Sequence, residues 1–433
     1  RGRRFAGSNS PAHRARRHHR HARCTRPGAM AILVTSGAGS VAEWRSKYML
    51  GDVLCLSHLR WGFVYQRPNH LMSRCARERR VFFIEEAVFD ASAPRLEVER
   101  IENGLHVVVP HLPRRVTGPQ AERLQHELLD GLVTRSAVKT PLVWMYTPMA
   151  VGFARRVQAA GYVYDCMDEL SHFRGAPVEL REREAELFQI ADVVFTGGQS
   201  LYEAKRSRHP RVFAFPSSVD FDHFAQARGP LADPVDQAHI ASPRVGFFGV
   251  IDERLDLRLL ETVARERPDL QLVLVGPVAK IDARNLPRRP NIHWLGQKHY
   301  TELPSYIAGW DVAFMPFARN DASKFISPTK TLEYLAAGRP VVSTSIRDVV
   351  QPYGNENLVR IADDPRSFAA AIDAALAEKG TPAALAHRQA RDATLAKTSW
   401  DRTWARMSAL VQEALARRGR HLEDEEKTPC STI

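Results

Sequence analysis

The chain has 433 residues, 44% hydrophobic and 25% charged, which excludes wholesale disorder, collagen and coiled coil and leaves room for two or three domains with their own cores. The net charge of +12 invites a nucleic-acid reading, but nine Arg and no acid fall in residues 1–30, leaving 52 basic against 49 acidic side chains in the rest. Cys24, Cys55, Cys75, Cys166 and Cys430 are odd in number and contain no C-x-x-C, which argues against a disulfide framework or zinc site and for a cytoplasmic setting.

Taken in chain order, residues 1–50 read as a disordered basic extension without a core. It is a flexible tail, or upstream sequence ahead of a start at Met30 or Met49; an organelle transit peptide shares its Arg-rich, acid-free character. Ala31–Val34 is too short for the apolar part of a signal peptide. The nine Arg would attract anionic lipid, so peripheral contact with the inner face of a membrane is expected. No run reaches the roughly 18 apolar residues of a membrane span.

Val53–Leu56 is a buried-strand run, and Pro68 opens a helix through Arg77. Strands follow at 81–84, 105–109, 142–146 and 161–165, then a charged helix over 178–189 and a strand at 192–196. The repeat of strand, helix and strand predicts an α/β domain over 51–216 with a parallel sheet covered on both faces. Residues 217–243 carry turn residues and little periodicity, and read as a linker. The pattern restarts at 244 with strands at 244–249, 270–275, 292–295, 312–315 and 341–343, and helices at 257–267, 301–308, 328–337 and 367–378. A second domain thus spans 244–396, followed by a helix within 397–420 and a disordered acidic tail at 421–433. Two doubly wound domains facing a cleft place the chemistry at the carboxyl ends of the strands.

The most informative segment is Ser327-Pro-Thr-Lys-Thr-Leu-Glu-Tyr-Leu-Ala-Ala-Gly338 with the buried strand after it. Ser327 is placed to cap a helix that starts at Pro328. The amides of Thr329, Lys330 and Thr331 at the positive helix end then make a phosphate site, with Lys330 as a point charge. Glu333, one turn on, can accept hydrogen bonds from a ribose diol. A well-capped helix with a solvent Lys/Glu pair is the plain alternative.

The pattern P-x-K-x-x-E-Y-x-A-x-G-x-P-V-V resembles the second domain of family-4-type (group 1) glycosyltransferases of the GT-B fold. Val245-Gly-Phe-Phe-Gly249 with Arg254 after it, Leu272-Val-Leu-Val-Gly-Pro277, Asn291-Ile-His-Trp-Leu-Gly296, Trp310-Asp311 and Pro216-Ser-Ser-Val-Asp220 also fit. The first domain, with Trp61-Gly-Phe-Val-Tyr-Gln-Arg-Pro68 and Tyr164-Asp-Cys-Met-Asp168, is similar to teichuronic-acid-biosynthesis-type bacterial envelope glycosyltransferases.

The resemblance implies two Rossmann-like domains and transfer of a sugar, with retention of configuration, from a nucleotide-diphosphate sugar to a cell-envelope glycan or lipid-linked saccharide. No cofactor is expected beyond that donor, and no metal or nucleic acid. By position, Glu333 binds the donor ribose, Arg254 and Lys330 the diphosphate, with Ser327 and Thr329 at the helix start. Gly249 admits the backbone to the phosphates. Phe325 stands where the family often has a first Glu for the transferred sugar. Trp61, Gln66 and Arg67 fall on the acceptor side, a solvent-exposed Arg67 at a capped helix start being the alternative. Asp168 is a catalytic or acceptor-orienting carboxylate, or else a loop cap.

Two further patterns are set aside. Asp220-Phe-Asp222 matches a metal-binding D-x-D but lies in the linker and reads as turn capping. Ser36-Gly-Ala-Gly39 is half a dinucleotide fingerprint without its strand and helix. The rival functions are a nucleotide-sugar epimerase of the same fold and a non-catalytic nucleotide-binding protein.

Overall fold

The computed structural model describes residues 51–427 apart from residue 103. The basic extension at 1–50, with its Ser36–Gly39 pattern, and the end of the acidic tail at 428–433 lie outside the described residues.

The apolar runs form two sheets. The first holds β1 (Val53–Leu56), β2 (Val81–Ile84), β3 (Val88–Ala91), β4 (Arg95–Glu102), β5 (Leu105–Pro113), β6 (Leu142–Met145), β7 (Gly161–Cys166), β8 (Val193–Thr196) and β9 (Val212–Ala214). Their order is β3-β5-β2-β1-β6-β7-β8-β9, with β4 antiparallel on β5 and every other pairing parallel. The second holds β10 (Arg244–Phe248), β11 (Gln271–Val275), β12 (Ile292–Trp294), β13 (Val312–Met315), β14 (Val341–Ser343) and β15 (Arg360–Ile361), all parallel, in the order β12-β11-β10-β13-β14-β15. Every residue of β1, β2, β6 and β8 is buried, as a parallel sheet covered on both faces requires.

In chain order the helices that matter here are α1 (Arg67–Ala76), α2 (Gly118–Arg135), α3 (Leu180–Ile190), α4 (Gln199–Lys205), α5 (Phe221–Ala225), α6 (Leu257–Glu266), α7 (Thr329–Ala336), α8 (Pro365–Ala377), α9 (Pro382–Leu395) and α10 (Trp400–Lys427).

Several elements depart from the sequence-based expectation. The β3–β4 insertion was not foreseen: all of β4 but Leu96 is exposed, so it lacks the apolar run that marks the other strands. Helix α2 buries only Ala121, Leu129 and Leu132, too thin a stripe to stand out. The linker is not structureless, since it contains α5, and the carboxylate of Asp220 accepts the His223 amide at the start of that helix. Finally, α10 continues to Lys427 where a disordered tail was expected from residue 421.

The C-terminal helix α10 belongs to the core of the first domain. Trp400, Trp404, Met407, Val411 and Ala414 recur at helical spacing and join the cluster that includes Trp144, Phe83 and Phe195. The chain therefore crosses to the second domain and returns, so the two sheets are tied by two connections. Cores of the first sheet lie on both its faces, and one large cluster fills the second domain.

Candidate active site

A cavity of about 820 Å³ opens where the carboxyl ends of the two sheets face each other, lined by both domains and by Ser217. Trp61, Gln66, Arg67 and Asp168 line it from the first domain; Gly249, Arg254, Ser327, Thr329, Lys330 and Glu333 line it from the second. These ten residues meet at one cavity, whereas Thr331 and Phe325, also singled out in the sequence, do not line it.

Its floor is the end of β10. Gly249 has φ +134° and Gly276, at the end of β11, has φ +147°, conformations that favour glycine. A Cβ on Gly249 would strike the Lys330 side chain, and one on Gly276 would strike the Gly249 carbonyl. Lys330 therefore lies directly on bare backbone. Helix α7 is fixed against the same strand by Tyr334, whose hydroxyl accepts the Phe248 amide at 2.9 Å.

The start of α7 differs by one residue from expectation. Pro328, not Ser327, occupies the N-cap position, and no side chain caps the helix. The Thr331 amide donates to the Pro328 carbonyl at 3.1 Å, so it is not free for a ligand. Thr329 and Lys330 remain as the uncapped first turn beside the cavity. Ser327 offers its carbonyl to the Ser217 hydroxyl at 3.4 Å instead.

The charges are arranged around this turn. Arg254 donates from Nε and Nη2 to Asp252 at 2.7–3.1 Å. Glu333 is only 6% exposed, which excludes the alternative of a solvent Lys/Glu pair, and its Oε2 is buried without a hydrogen-bond partner. Burial pushes its carboxyl upward against the pull of Lys330, and burial lowers the Lys330 ammonium against the pull of Glu333. Burial also raises the Asp168 carboxyl, with Arg254 opposing.

On the opposite wall, the loop 60–66 is held by Glu85, which pairs with Arg60 at 2.8 Å and accepts the Trp61 amide at 2.8 Å. Gln66 precedes α1, its amide donating to Asn69 Oδ1 at 3.0 Å. Arg67 lines the cavity, but it corrects the alternative of a solvent-exposed arginine. It is 2% exposed, donates to Asp165 from Nε and Nη2 at 2.8–3.2 Å, and reaches the Phe215 carbonyl at 2.7 Å. Its guanidinium is thus committed to the fold, whatever part of the side chain touches the cavity.

Sequence reasoning also missed an aromatic run beside the site. His70 stacks on Trp400 at 4.6 Å, Tyr65 meets His70 at 4.7 Å and Tyr300 at 4.4 Å, and Tyr300 stacks on His223 at 4.1 Å. Tyr300 lines the cavity and its hydroxyl is buried without a partner. The strand at 292–295 was legible, and the loop after a strand's carboxyl end was the available signal for it. Phe325 is turned away from the cavity, packing on the first-domain core and within 5.5 Å of the His172 ring. Among the described residues no three His, Cys, Asp or Glu side chains are grouped to hold a metal, and no helix is long and apolar enough to cross a membrane.

Residues 242–378 match the family described as glycosyl transferases group 1. The chain is 26% identical over 239 residues to TuaH of Bacillus subtilis (strain 168), whose name assigns it as a glycosyltransferase to teichuronic acid biosynthesis. That match covers 50% of this chain and 59% of the relative, so the chain spans less than two thirds of it. Among solved structures, sucrose-phosphate synthase from Thermosynechococcus elongatus superposes with a TM-score of 0.64 at 15% identity, covering 85% of this chain and 100% of that one. HepE from Anabaena, solved with UDP-glucose, gives 0.60 at 15% identity, covering 84% and 100%. Residues 242–378 are thus similar to the group 1 glycosyl transferases, and the two facing sheets are those of the GT-B fold.

Proposed function

We propose that the protein is a glycosyltransferase that moves a glycosyl group from a nucleotide-diphosphate sugar to an acceptor hydroxyl, retaining the anomeric configuration. The observation that carries this reading is the buried, unpartnered Glu333 Oε2 one turn from Lys330, at an uncapped helix start in a cavity shared by two domains. A ribose diol supplies the hydroxyl donor that this Oε2 lacks, and the diphosphate meets Lys330, Arg254 and the first-turn amides.

In the reaction the bond from the anomeric carbon to the diphosphate oxygen breaks, and its electron pair goes to the leaving phosphate. Lys330 and Arg254 stabilise the charge that gathers there. The acceptor oxygen approaches from the face that the diphosphate leaves, and its proton passes to the departing phosphate oxygen. Asp168, at the cavity edge, orients the acceptor hydroxyl. No protein nucleophile is required, and the two cations do the electrostatic work that a metal does elsewhere. The wall of Trp61, Phe63 and Tyr65 suits the apolar faces of sugar rings. Together with the name of the Bacillus subtilis relative, it supports a cell-envelope glycan or lipid-linked saccharide as acceptor, reached from the cytoplasmic side.

The test is incubation with a panel of radiolabelled nucleotide-diphosphate sugars, with and without membrane lipid extract, in EDTA. Transfer to lipid or glycan in EDTA is expected. Acceptor-free isomerisation would make the protein an epimerase, and binding without turnover would make it a nucleotide-binding protein. Turnover that EDTA abolishes and manganese restores would overturn the metal-independent mechanism.

A further inference from the structure

Three consecutive residues of the first domain reach across the cleft. His172 Nδ1 lies 3.2 Å from the Asp321 carbonyl, and the Arg174 amide donates to Glu253 Oε1 at 2.9 Å. Between them, the Phe173 ring lies 5.3 Å from the Arg254 guanidinium carbon and 4.3 Å from Lys280 Nζ. Both cations belong to the second domain. The loop that carries Phe173 begins at Asp168, so the two features share one segment of chain.

Within its own domain Arg254 is held along one edge of the guanidinium. Asp252 fixes the edge formed by Nε and Nη2; such bonds lie in the guanidinium plane and leave its faces to other contacts. An aromatic ring over the guanidinium face supplies a second restraint through the ring quadrupole. The ring comes from the other domain, so the restraint exists only while the domains are apposed. We propose that Phe173 is a positioning residue for Arg254: domain closure sets its ring on the guanidinium and so completes the diphosphate site only in the closed protein. This rests on the donor-site reading above. It gives that site a closure-dependent component, so that the leaving-group charge is met in full only when water has been excluded.

The experiment uses the full chain with 15N-labelled arginine. The Arg254 Nε–H signal is identified by its loss in Arg254→Lys, and its order is measured in wild type, Phe173→Leu and Phe173→Tyr. Arg254 is expected to lose order in Phe173→Leu, which keeps apolar bulk without a ring, and to keep it in Phe173→Tyr. In turnover of the donor found by the panel, Phe173→Leu should lower kcat roughly tenfold, a cation–π contact's worth of transition-state stabilisation. Donor KM should stay within about twofold, and Phe173→Tyr should restore kcat, a split that loss of general packing would not give. Unchanged Arg254 order in Phe173→Leu would overturn the proposal, as would a kcat loss of the same size in an Arg254→Lys background. Failure of the wild type to use any donor refutes the glycosyltransferase reading instead, while the Arg254 signal still decides this one.

Discussion

Glu333→Gln is the most discriminating substitution, because the structure assigns it two effects of opposite sign. The side chain is buried and one of its oxygens has no partner. Leaving a buried polar group unsatisfied costs about 1–3 kcal/mol, more for a charged one. Its carboxyl is shifted upward by burial, so between the unfolded and folded values the native state binds more protons than the unfolded chain. Stability then falls as pH rises through that window. Glutamine removes the charge at nearly constant shape, so the ligand-free variant should be as stable as wild type at pH 5 and more stable at pH 8. For a chain of this length roughly 1 °C of Tm corresponds to each kcal/mol. Donor binding should move the other way. Loss of charge-assisted hydrogen bonds to a ribose diol is worth about 1.5–3 kcal/mol, or roughly 10–150-fold in Kd. Differential scanning calorimetry at the two pH values, paired with titration of UDP and the active donor, reads both effects. A variant that is less stable at pH 8 and binds donor as wild type does would show that Glu333 serves packing, and would remove it from the site.

Lys330→Met should lower kcat more than it raises donor KM, because the ammonium acts on charge that develops in the transition state; steady-state kinetics with the active donor decides, and a pure KM effect would contradict that role. Arg67→Met should destabilise the fold by about 3–5 kcal/mol, since it strands the fully buried Asp165 carboxylate. Burial already pushes the Asp165 carboxyl up and Arg67 holds it down; without Arg67 the native carboxyl rises further, so the loss in Tm should be larger at pH 8 than at pH 5.5. Equal losses at both values would place the cost elsewhere.

The sequence made legible those features that are local in the chain. Lys330 and Glu333 share one turn of helix, Gly249 closes the apolar run Val245–Phe248, and Val53–Leu56 or Val81–Ile84 are apolar throughout; each is a pattern within a short window. What escaped is built from partners far apart. Arg67 and Asp165 are separated by 98 positions, so no spacing rule could foresee that the arginine of Gln66-Arg67-Pro68 is buried. Phe173 and Arg254 come together only through apposition of two domains. The five apolar residues of α10 were readable as a helix face, but not that their partner would be the first domain. Ser327 illustrates a smaller error: the Ser-Pro pair suggested capping by the serine, whereas the proline takes the cap position and leaves the first turn open.

That open turn sits in a field whose balance has a measurable consequence. Lys330 is in electrostatic contact with Glu333, Arg254, Asp252 and Asp168, two cations against three carboxylates. Burial shifts Glu333 and Asp168 upward and Lys330 downward, so in the free protein each of the three is pushed toward its uncharged form. A diphosphate brings further negative charge into the same space. An added anion favours the protonated state of every neighbouring group, raising carboxyl and ammonium alike. Donor or UDP binding near pH 7 should therefore take up protons. Calorimetric titration of UDP in two buffers of different ionisation enthalpy measures this as a difference in apparent heat. Glu333→Gln should reduce the uptake without abolishing it, because Lys330 and Asp168 still respond. Identical heats in both buffers would mean that the diphosphate does not enter this cluster, and would move the donor away from α7.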